Sequence, residues 1–256
     1  MIAFTIKGAI FDVDDTLLDN KPGIPSMGLH ARSRLAAVQT VGKAKGIEEL
    51  ANISVEDNLE SFVSASAHTI EAAVWNMFVR AGLRQNVEIN HTDPLLIEIV
   101  ELKEKLHEDL LINEAEEVAG AIDFVRSLVE YGLGDKLAIA STATRRDVDL
   151  FFAKTGLSKY FPDKRIKTKE SVTHHKPDPE VFNAAFETLG LPESDRAQVY
   201  AFEDDPRGIL AAKNAGLYVC AITTRFTKDA LLALEVPPDV VAESYAEFKE
   251  LFGLAS

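Results

Sequence analysis

Four short apolar runs, three of which are directly followed by a polar segment, constrain the fold of this 256-residue sequence more than any other feature. The runs are typical of strands and lie at residues 6–11, 137–140, 199–202 and 218–222, with helical patterns between them. Strands that alternate with helices indicate a parallel sheet covered by helices on both faces. Nearly continuous apolar residues fit strands that are buried on both sides. We therefore predict an α/β fold.

The spacing of the first two runs predicts an inserted domain. One strand–helix–strand unit needs roughly 30 residues, but the first run ends at residue 11 and the second begins at residue 137. The intervening segment shows no strand pattern and contains long amphipathic helical patterns at 29–41, 59–79 and 94–111. We predict a helical cap domain of residues 20–115, inserted into a core of residues 1–19 and 116–256.

Two segments mark the ends of this insertion. The segment 20–25 contains two prolines and a glycine, which are typical of a turn or a linker. The segment 113–117 is acidic and marks the return to the core. Parallel sheets bind ligands at the carboxyl ends of their strands. A helical insertion after the first strand would therefore act as a lid over that edge.

Composition and charge argue against several classes of partner. The formal net charge of −14 argues against nucleic acid, because a basic surface supplies most of that affinity. No apolar run approaches the roughly 20 residues that span a bilayer, so no membrane partner is expected. The single cysteine, Cys220, excludes an internal disulfide. One unpaired thiol fits a reducing, cytoplasmic location.

Two aspartates follow the first strand. Asp12 and Asp14 are two residues apart, so a strand would place both on one face and the following turn could separate them. Carboxylates with this offset can act as a nucleophile and as a general acid and base. Acidic turns after strands are also common without any chemistry, and that structural alternative stays open for this segment alone.

A hydroxyl group follows the second strand. Ser141 ends this strand, and Thr142 or Thr144 can cap the helix that comes next. Hydroxyls and free backbone amides at the start of a helix can bind phosphate. Most strand–serine–helix joints are nevertheless only helix caps, so this segment alone is a weak signal.

A lysine lies just before a sequence that is typical of the start of a helix. Lys176 is followed by Pro177, Asp178 and Pro179, which predicts a helix that begins at Pro179 with Asp178 as its cap. Pro177 restricts Lys176 to an extended backbone. A lysine presented in this way can neutralise a phosphoryl group that is being transferred. An exposed lysine before a capped helix is the structural alternative.

Three acidic residues follow the strand at 199–202. Asp205 with Pro206 repeats the pattern of a cap and a first-turn proline, so Asp205 is interpreted as a helix cap. Asp204, with Asp12 and the carbonyl oxygen of Asp14, offers the hard oxygen ligands that Mg²⁺ prefers. Glu203 would hold a water molecule next to that metal.

The acidic charges of these segments require compensation if the segments share one pocket. Two like charges 4 Å apart repel by about 4 kcal/mol at an effective dielectric constant of 20. Three carboxylates and a phosphate therefore need compensation before they can share a pocket. Mg²⁺ and Lys176 would supply it, and they would stabilise the same charges in a transition state.

Taken together, the four polar segments resemble the haloacid dehalogenase superfamily, in the branch with an inserted helical cap that includes β-phosphoglucomutase and small phosphatases. The resemblance spans residues 6–222. It implies a Rossmann-like core with an α-helical cap, Mg²⁺ as the cofactor and a small phosphorylated metabolite as the substrate. The matching residues are Asp12-Val13-Asp14-Asp15-Thr16, Ser141, Lys176-Pro177-Asp178-Pro179 and Glu203-Asp204.

The resemblance also implies roles by position. Asp12 would be the nucleophile and Asp14 the acid and base, and the dehalogenases themselves lack this second aspartate. Phosphate would be bound by Ser141, Thr142 and Lys176. Mg²⁺ would be bound by Asp12, Asp14 and Asp204. In the cap, His30 matches a histidine that the mutase carries at the start of its first cap helix, and it would bind substrate.

The sequence departs from this branch at several positions. Asp15 replaces the usual glycine, and Asp205 replaces the usual serine. The segment 51–56 lacks the arginine that helps the mutase to hold a sugar bisphosphate, which argues against mutase activity. Other candidates for substrate contacts in the cap are Asn58, Trp75 and Arg80, although Trp75 fits packing better.

The leading interpretation is a Mg²⁺-dependent phosphatase that forms an aspartyl-phosphate on Asp12. The alternative is a sugar phosphomutase, in which the lid would have to exclude water from the phosphorylated aspartate. Receiver domains of signalling proteins use similar groups, but they are about half as long and their acid pair does not follow the lysine. A non-catalytic phosphate-binding protein is a remote alternative, against which the intact set of acids and lysine argues.

Overall fold

The structure is a computed structural model, and it describes residues 5–20, 27–65, 69–85 and 88–254. The chain divides into two compact units. The core unit consists of Met1–Asp19 and Ala115–Ser256, and the helical unit consists of Asn20–Glu114. Most of the turn-rich segment 20–25 lies outside the described residues.

The core unit contains a six-stranded sheet in which every pairing is parallel. Its strands, in chain order, are β1 (Gly8–Phe11), β4 (Leu137–Ala140), β5 (Ile166–Lys167), β6 (Val199–Glu203), β7 (Tyr218–Ile222) and β8 (Val240–Ala242). Their spatial order is β5-β4-β1-β6-β7-β8. Two further short strands, β2 (Leu18–Asp19) and β3 (Glu116–Glu117), pair antiparallel. The predicted α/β fold with a parallel sheet is therefore confirmed.

Eleven α-helices are present in the described ranges. Those of the helical unit are α1 (Leu29–Lys45), α2 (Glu48–Ala51), α3 (Val55–Val63), α4 (Ile70–Arg80) and α5 (Pro94–Glu114). Those of the core unit are α6 (Ala121–Leu128), α7 (Arg145–Thr155), α8 (Glu180–Glu187), α9 (Pro206–Asn214), α10 (Lys228–Leu232) and α11 (Tyr245–Phe252). None of these helices is long and apolar enough to cross a bilayer.

The helical patterns of the insertion are present with different ends. The pattern at 59–79 is two helices, α3 and α4, because Thr69 caps the second one by accepting a hydrogen bond from Ala72 N. The acidic segment 113–117 spans the division between the two units. Its first residues end α5, and Glu116–Glu117 forms strand β3.

The helical unit has an apolar core of its own. Helix α1 packs against α2 and α5, and Val38, Leu50, Phe78 and Ile99 are fully buried between the helices. Each such side chain contributes about 1.5–3 kcal/mol to stability when it leaves water. Trp75 also lies in this core with 4% of its surface exposed, so it packs the unit.

Aromatic rings fill one side of the sheet in the core unit. Phe11 of β1 stacks on Phe202 of β6 with 4.6 Å between ring centroids. Phe124 of α6 lies 5.1 Å from both Phe202 and Tyr245. The Tyr245 hydroxyl is buried and donates a hydrogen bond to the carbonyl oxygen of Thr16 at 2.8 Å. Helix α11 is thereby tied to the loop that follows β1.

Replacing Tyr245 with phenylalanine should lower the free energy of unfolding by about 1–3 kcal/mol, because the buried Thr16 carbonyl loses a hydrogen-bond donor. Urea denaturation followed by circular dichroism measures this change. Tyr131→Phe is the matched control, because Tyr131 is 50% exposed and should lose almost nothing. Equal stability of the two variants would show that the Tyr245 hydroxyl has no structural role.

Candidate active site

Strand register brings three of the four polar segments to one edge of the sheet. β1 lies between β4 and β6, with Phe11 opposite Ile139 on one side and Phe202 on the other. Asp12 follows β1, and its amide donates to the Phe202 carbonyl at 3.0 Å. The residues that follow these three strands therefore leave the sheet at the same edge.

A tight turn follows Asp12. The carbonyl oxygen of Val13 accepts from the amides of Thr16 and Leu17, and Asp15 N donates to Leu18 O at 2.7 Å. Asp15 has φ = 56°, a left-handed conformation that glycine adopts without strain and other residues adopt at a cost. This turn places the Thr16 hydroxyl 3.1 Å from Asp204 Oδ1, to which it donates.

Lys176 is held between two carboxylates. Its Nζ donates to Asp12 Oδ1 and to Glu203 Oε1, both at 2.6 Å. Lys176 is 5% exposed, and its carbonyl oxygen accepts from the Arg207 guanidinium. The structural alternative of an exposed lysine is therefore wrong.

The helix after Lys176 begins one residue later than predicted. Helix α8 starts at Glu180, and Pro179 is the residue that precedes it. Asp178 still accepts a hydrogen bond at this terminus, from the amide of Glu180 at 2.9 Å. The predicted function of Asp178 as a capping side chain is retained, and only the register differs.

The Glu203 carboxylate is held by hydrogen bonds and by close packing. Its Oε1 accepts from Lys176, and its Oε2 accepts from the amides of Asp204 and Asp205 at 3.1 and 3.3 Å. Gly208 of α9 lies against the carboxylate so closely that a Cβ atom there would be 1.9 Å from Glu203 Oε1. Both carboxylate oxygens are thus engaged by the protein, and Glu203 holds the Lys176 ammonium in place. The predicted contact of Glu203 with a metal-bound water stays a prediction.

Asp204 is buried and only partly satisfied. Its Oδ1 accepts from Thr16, while its Oδ2 accepts no hydrogen bond from any residue that the structure describes. Arg225 Nη1 lies 3.8 Å from Asp204 Oδ2. The same nitrogen donates to Asp205 Oδ2 at 3.0 Å, and Asp205 caps α9 by accepting from Arg207 N, as predicted.

Burial and charge shift the ionisation of these groups. Burial raises the pKa of Asp12, the Lys176 ammonium opposes this change, and the charges of Glu203 and Asp14 add to it. Burial also raises the pKa of Asp204, and the neighbouring acids add to that rise. Burial alone would lower the pKa of Lys176, but the charges of Asp12 and Glu203 outweigh it and raise that pKa. The two carboxylates therefore favour the protonated form of Lys176.

The donor set fits a divalent cation. Carboxylate oxygens of Asp12, Glu203 and Asp204 all lie within 4.8 Å of one another. With Lys176 these groups carry a net charge of two negative units when all are ionised, which one Mg²⁺ would balance. Because both oxygens of Glu203 are engaged, Asp12 and the unsatisfied Oδ2 of Asp204 are the better ligands. Asp14, which the sequence analysis includes as a ligand through its carbonyl oxygen, is half-buried two residues beyond Asp12.

Ser141 and Thr142 follow β4 at the same sheet edge. Ser141 is buried, and its hydroxyl oxygen accepts from Ala143 N at 3.1 Å. Thr142 is exposed. Of the two threonines proposed as caps, Thr144 is the one that caps α7, since its hydroxyl oxygen accepts from Asp147 N at 3.0 Å. Thr142 is therefore not engaged as a helix cap.

The cap candidates have different environments within the helical unit. His30 lies in the first turn of α1, where its ring stacks on His107 with 3.9 Å between centroids. Lys103 Nζ lies 3.3 Å from His30 Nδ1. Asn58 is fully buried and holds the Arg34 guanidinium, so its role is structural. Arg80 pairs with Glu60 on the surface at 2.9 Å.

A second group of possible metal ligands lies before α8. Side-chain atoms of His174, Asp178 and Glu180 come within 4.8 Å of one another. The Glu180 carboxylate already accepts from the amides of Thr173 and His174. These hydrogen bonds join Glu180 to the loop before the helix, and His174 is exposed as predicted. The group is explained by these loop hydrogen bonds and by the bond of Asp178 to the Glu180 amide.

Three further residues contact the site without a sequence pattern that predicts it: Thr16, Arg225 and Gly208. Thr16 lies within the first polar segment, so its hydroxyl could have been noted there. Gly208 follows the fourth segment at the start of a predicted helix, where a glycine signals close packing. Arg225 lies beyond the last predicted strand, and no local pattern connects it to the acids that it contacts.

The chain matches the family model of haloacid dehalogenase-like hydrolases over residues 9–222. That range covers most of the sequence and includes all four polar segments. The chain therefore belongs to this family, as the polar segments predict.

Similarities to known proteins, in sequence and in structure, are consistent with membership of this family. The phosphorylated carbohydrates phosphatase of Thermotoga maritima is 33% identical over 226 residues, which cover 83% of this chain and 82% of that protein. The protein CbbY of Rhodobacter capsulatus is 31% identical over 57% of this chain. This match covers 63% of CbbY, which is less than two thirds of its length. A HAD hydrolase, family IA, variant 3, from Entamoeba histolytica has a TM-score of 0.72 at 20% identity, with 97% of this chain and 99% of that one covered. This last similarity shows the fold.

The contact between Gly208 and Glu203 gives a prediction about stability. Gly208→Ala should lower the free energy of unfolding by about 1–3 kcal/mol, because the added methyl group forces the Glu203 carboxylate away from Lys176. The control is Gly134→Ala, whose added Cβ would meet only a Val129 methyl group at 3.3 Å. Thermal and urea denaturation of both variants measure the difference. If Gly208→Ala were as stable as the control, Glu203 would be free to move.

Proposed function

We propose that this chain is a Mg²⁺-dependent phosphatase that hydrolyses a small phosphorylated metabolite through an aspartyl-phosphate on Asp12. The observation that carries this proposal is the buried contact of Lys176 with Asp12 beside Asp204, whose Oδ2 accepts no hydrogen bond within the described chain. This arrangement holds a carboxylate, a fixed cation and a free ligand atom in one place. Those are the groups that phosphoryl transfer to an aspartate requires.

The proposed reaction has two steps. In the first, an oxygen of the Asp12 carboxylate attacks phosphorus, the bond from phosphorus to the ester oxygen breaks, and Asp14 gives a proton to the departing alcohol. In the second, Asp14 takes a proton from a water molecule as that water attacks phosphorus. The bond from phosphorus to Asp12 then breaks, and inorganic phosphate and the free carboxylate remain.

The other residues of the site would compensate the charge of the phosphoryl group and position the reacting groups. Lys176 favours the ionised form of Asp12 and orients it, and its ammonium faces the site of developing negative charge. Ser141, with the exposed Thr142, offers hydroxyls to the phosphate oxygens. Bound Mg²⁺, held by Asp12, Asp14 and Asp204, would supply Lewis-acid stabilisation of the phosphoryl group.

The comparisons support hydrolysis of a phosphate ester. The relative from Thermotoga maritima, matched over most of both chains, is named a phosphorylated carbohydrates phosphatase. The presence of Asp14 two residues after Asp12 also supports an acid–base partner for the nucleophile. A phosphorylated carbohydrate is therefore the first class of substrate to test.

Asp12→Asn should reduce the turnover of p-nitrophenyl phosphate with Mg²⁺ by about 1000-fold or more, because the amide cannot form the covalent intermediate. Release of p-nitrophenol measures this loss. Asp229→Asn is the control, since Asp229 is exposed in the first turn of α10. Substantial activity in Asp12→Asn would contradict the assignment of the nucleophile.

Asp204→Asn should raise the Mg²⁺ concentration that gives half-maximal activity by about 10- to 100-fold, because a charged ligand is replaced by a neutral one. Titration of activity against Mg²⁺ measures the change. Asp178→Asn is the control, because Asp178 belongs to the exposed group before α8. An unaltered Mg²⁺ dependence in Asp204→Asn would exclude Asp204 as a ligand.

A further inference from the structure

Arg34 is a buried cation, and its partners among the residues that the structure describes are all neutral. It lies on α1 with 4% of its surface exposed. Its Nε and Nη2 donate to Asn58 Oδ1 and Asn58 O at 2.8 and 3.0 Å. The guanidinium carbon lies 5.1 Å from the centroid of the Phe62 ring. These contacts satisfy hydrogen bonds but do not compensate the positive charge.

Arg34 differs in this respect from its neighbours in the sequence. Arg32, two residues earlier on the same helix, forms a bidentate pair with Glu114 at 2.6 and 2.9 Å. Among the described residues, Arg34 forms no ion pair with a carboxylate. Burial of a charge without a counter-ion is costly, and it lowers the pKa of Arg34 to about 10. Arg34 is still protonated at pH 7, so its charge can attract an anion.

The guanidinium of Arg34 is also pre-positioned. Asn58, which holds two of its nitrogens, is fully buried and donates its own amide to Ala31 O at 2.9 Å. The third nitrogen, Nη1, donates to none of the residues that the structure describes. It does not belong to the fully buried polar atoms that lack a partner, so part of its surface is accessible. A fixed guanidinium with an available N–H group suits a carboxylate or a phosphate.

Other basic side chains lie near Arg34 along α1. His30 precedes Arg34 by one turn, so both residues lie on one face of the helix. The buried ammonium of Lys103, on the neighbouring helix α5, lies 3.3 Å from His30 Nδ1 and 3.4 Å from Glu104 Oε1. The charge of Lys103 is therefore already paired with a carboxylate, and the attraction for an anion rests on Arg34.

We propose that Arg34 is the centre of an anion-binding site in the helical unit, which takes a carboxylate or phosphate group of a small molecule. Two sources share this chemistry. The anionic group belongs either to a phosphorylated substrate that carries a second acidic group, which rests on the proposed function, or to a separate small organic acid. Charge-assisted hydrogen bonds of this kind contribute enough to change a dissociation constant by about 10- to 100-fold.

Isothermal titration calorimetry of the Asp12→Asn protein tests the site without any turnover. Two pairs of probes differ in a second acidic group: 3-phosphoglycerate with glycerol 3-phosphate, and fructose 1,6-bisphosphate with fructose 6-phosphate. Succinate tests the separate organic acid. We expect the member of a pair that carries the second acidic group, or succinate, to bind at least about 10-fold more weakly when Arg34→Met is added. The members that carry the phosphate alone should change less than about 3-fold.

Arg32→Met is the matched control, since Arg32 already has its own carboxylate, and it should leave every probe unchanged. Arg34→Gln, which keeps a donor for Asn58, replaces the methionine variant if that variant does not fold. The proposal is overturned if no probe with a second acidic group binds more tightly than its singly phosphorylated partner and succinate does not bind, or if both Arg34 variants bind every probe like the parent. Absence of phosphatase activity in the unmodified protein would instead refute the proposed function alone, because these titrations do not depend on turnover.

Discussion

The contact of one buried ammonium with two carboxylates governs the organisation of the core unit. Lys176 reaches Asp12 and Glu203 at equal distances of 2.6 Å. The three residues come from the end of β1, the end of β6 and the loop before α8. Since unpaired charges are costly in a protein interior, this contact requires that all three segments meet, and it fixes the loops that carry the remaining polar groups.

Close packing makes this arrangement rigid. Glu203 accepts hydrogen bonds from two backbone amides and from Lys176, and the absence of a side chain at Gly208 leaves the space that its carboxylate fills. Lys176 in turn is restrained at its backbone by Arg207. Asp12 and Asp204 are therefore presented in fixed positions, as an efficient nucleophile and a metal ligand would require.

Local sequence patterns predict the parts of this protein that depend on local properties. The strands β1, β4, β6 and β7 are recognisable because each is a continuous apolar run that is buried on both sides. The short strands β5 and β8 carry too few residues to show such a pattern, and they exist because neighbouring strands offer free backbone groups. Lys176 and Glu203 could be selected from their motifs, but the direct contact between them depends on tertiary packing.

The same distinction explains which site residues escape prediction. Arg225 is brought to Asp204 and Asp205 only by the parallel pairing of β7 with β6. Arg34 looks like an ordinary surface position in a helical pattern, and its burial follows from how Asn58 packs against α1. Neither property is encoded in the spacing of nearby residues, because both depend on segments that are distant in the sequence or on a different helix.

The turn after β1 has a consequence for how this branch of the family varies. Asp15 occupies a left-handed position, its carbonyl oxygen accepts from Thr224, and its carboxylate lies 3.6 Å from Arg225. Arg225 also pairs with Asp205, so one cation compensates both acids. These three positions form a single electrostatic unit and should covary. Homologues that lack both acids lose the reason to keep an arginine after β7.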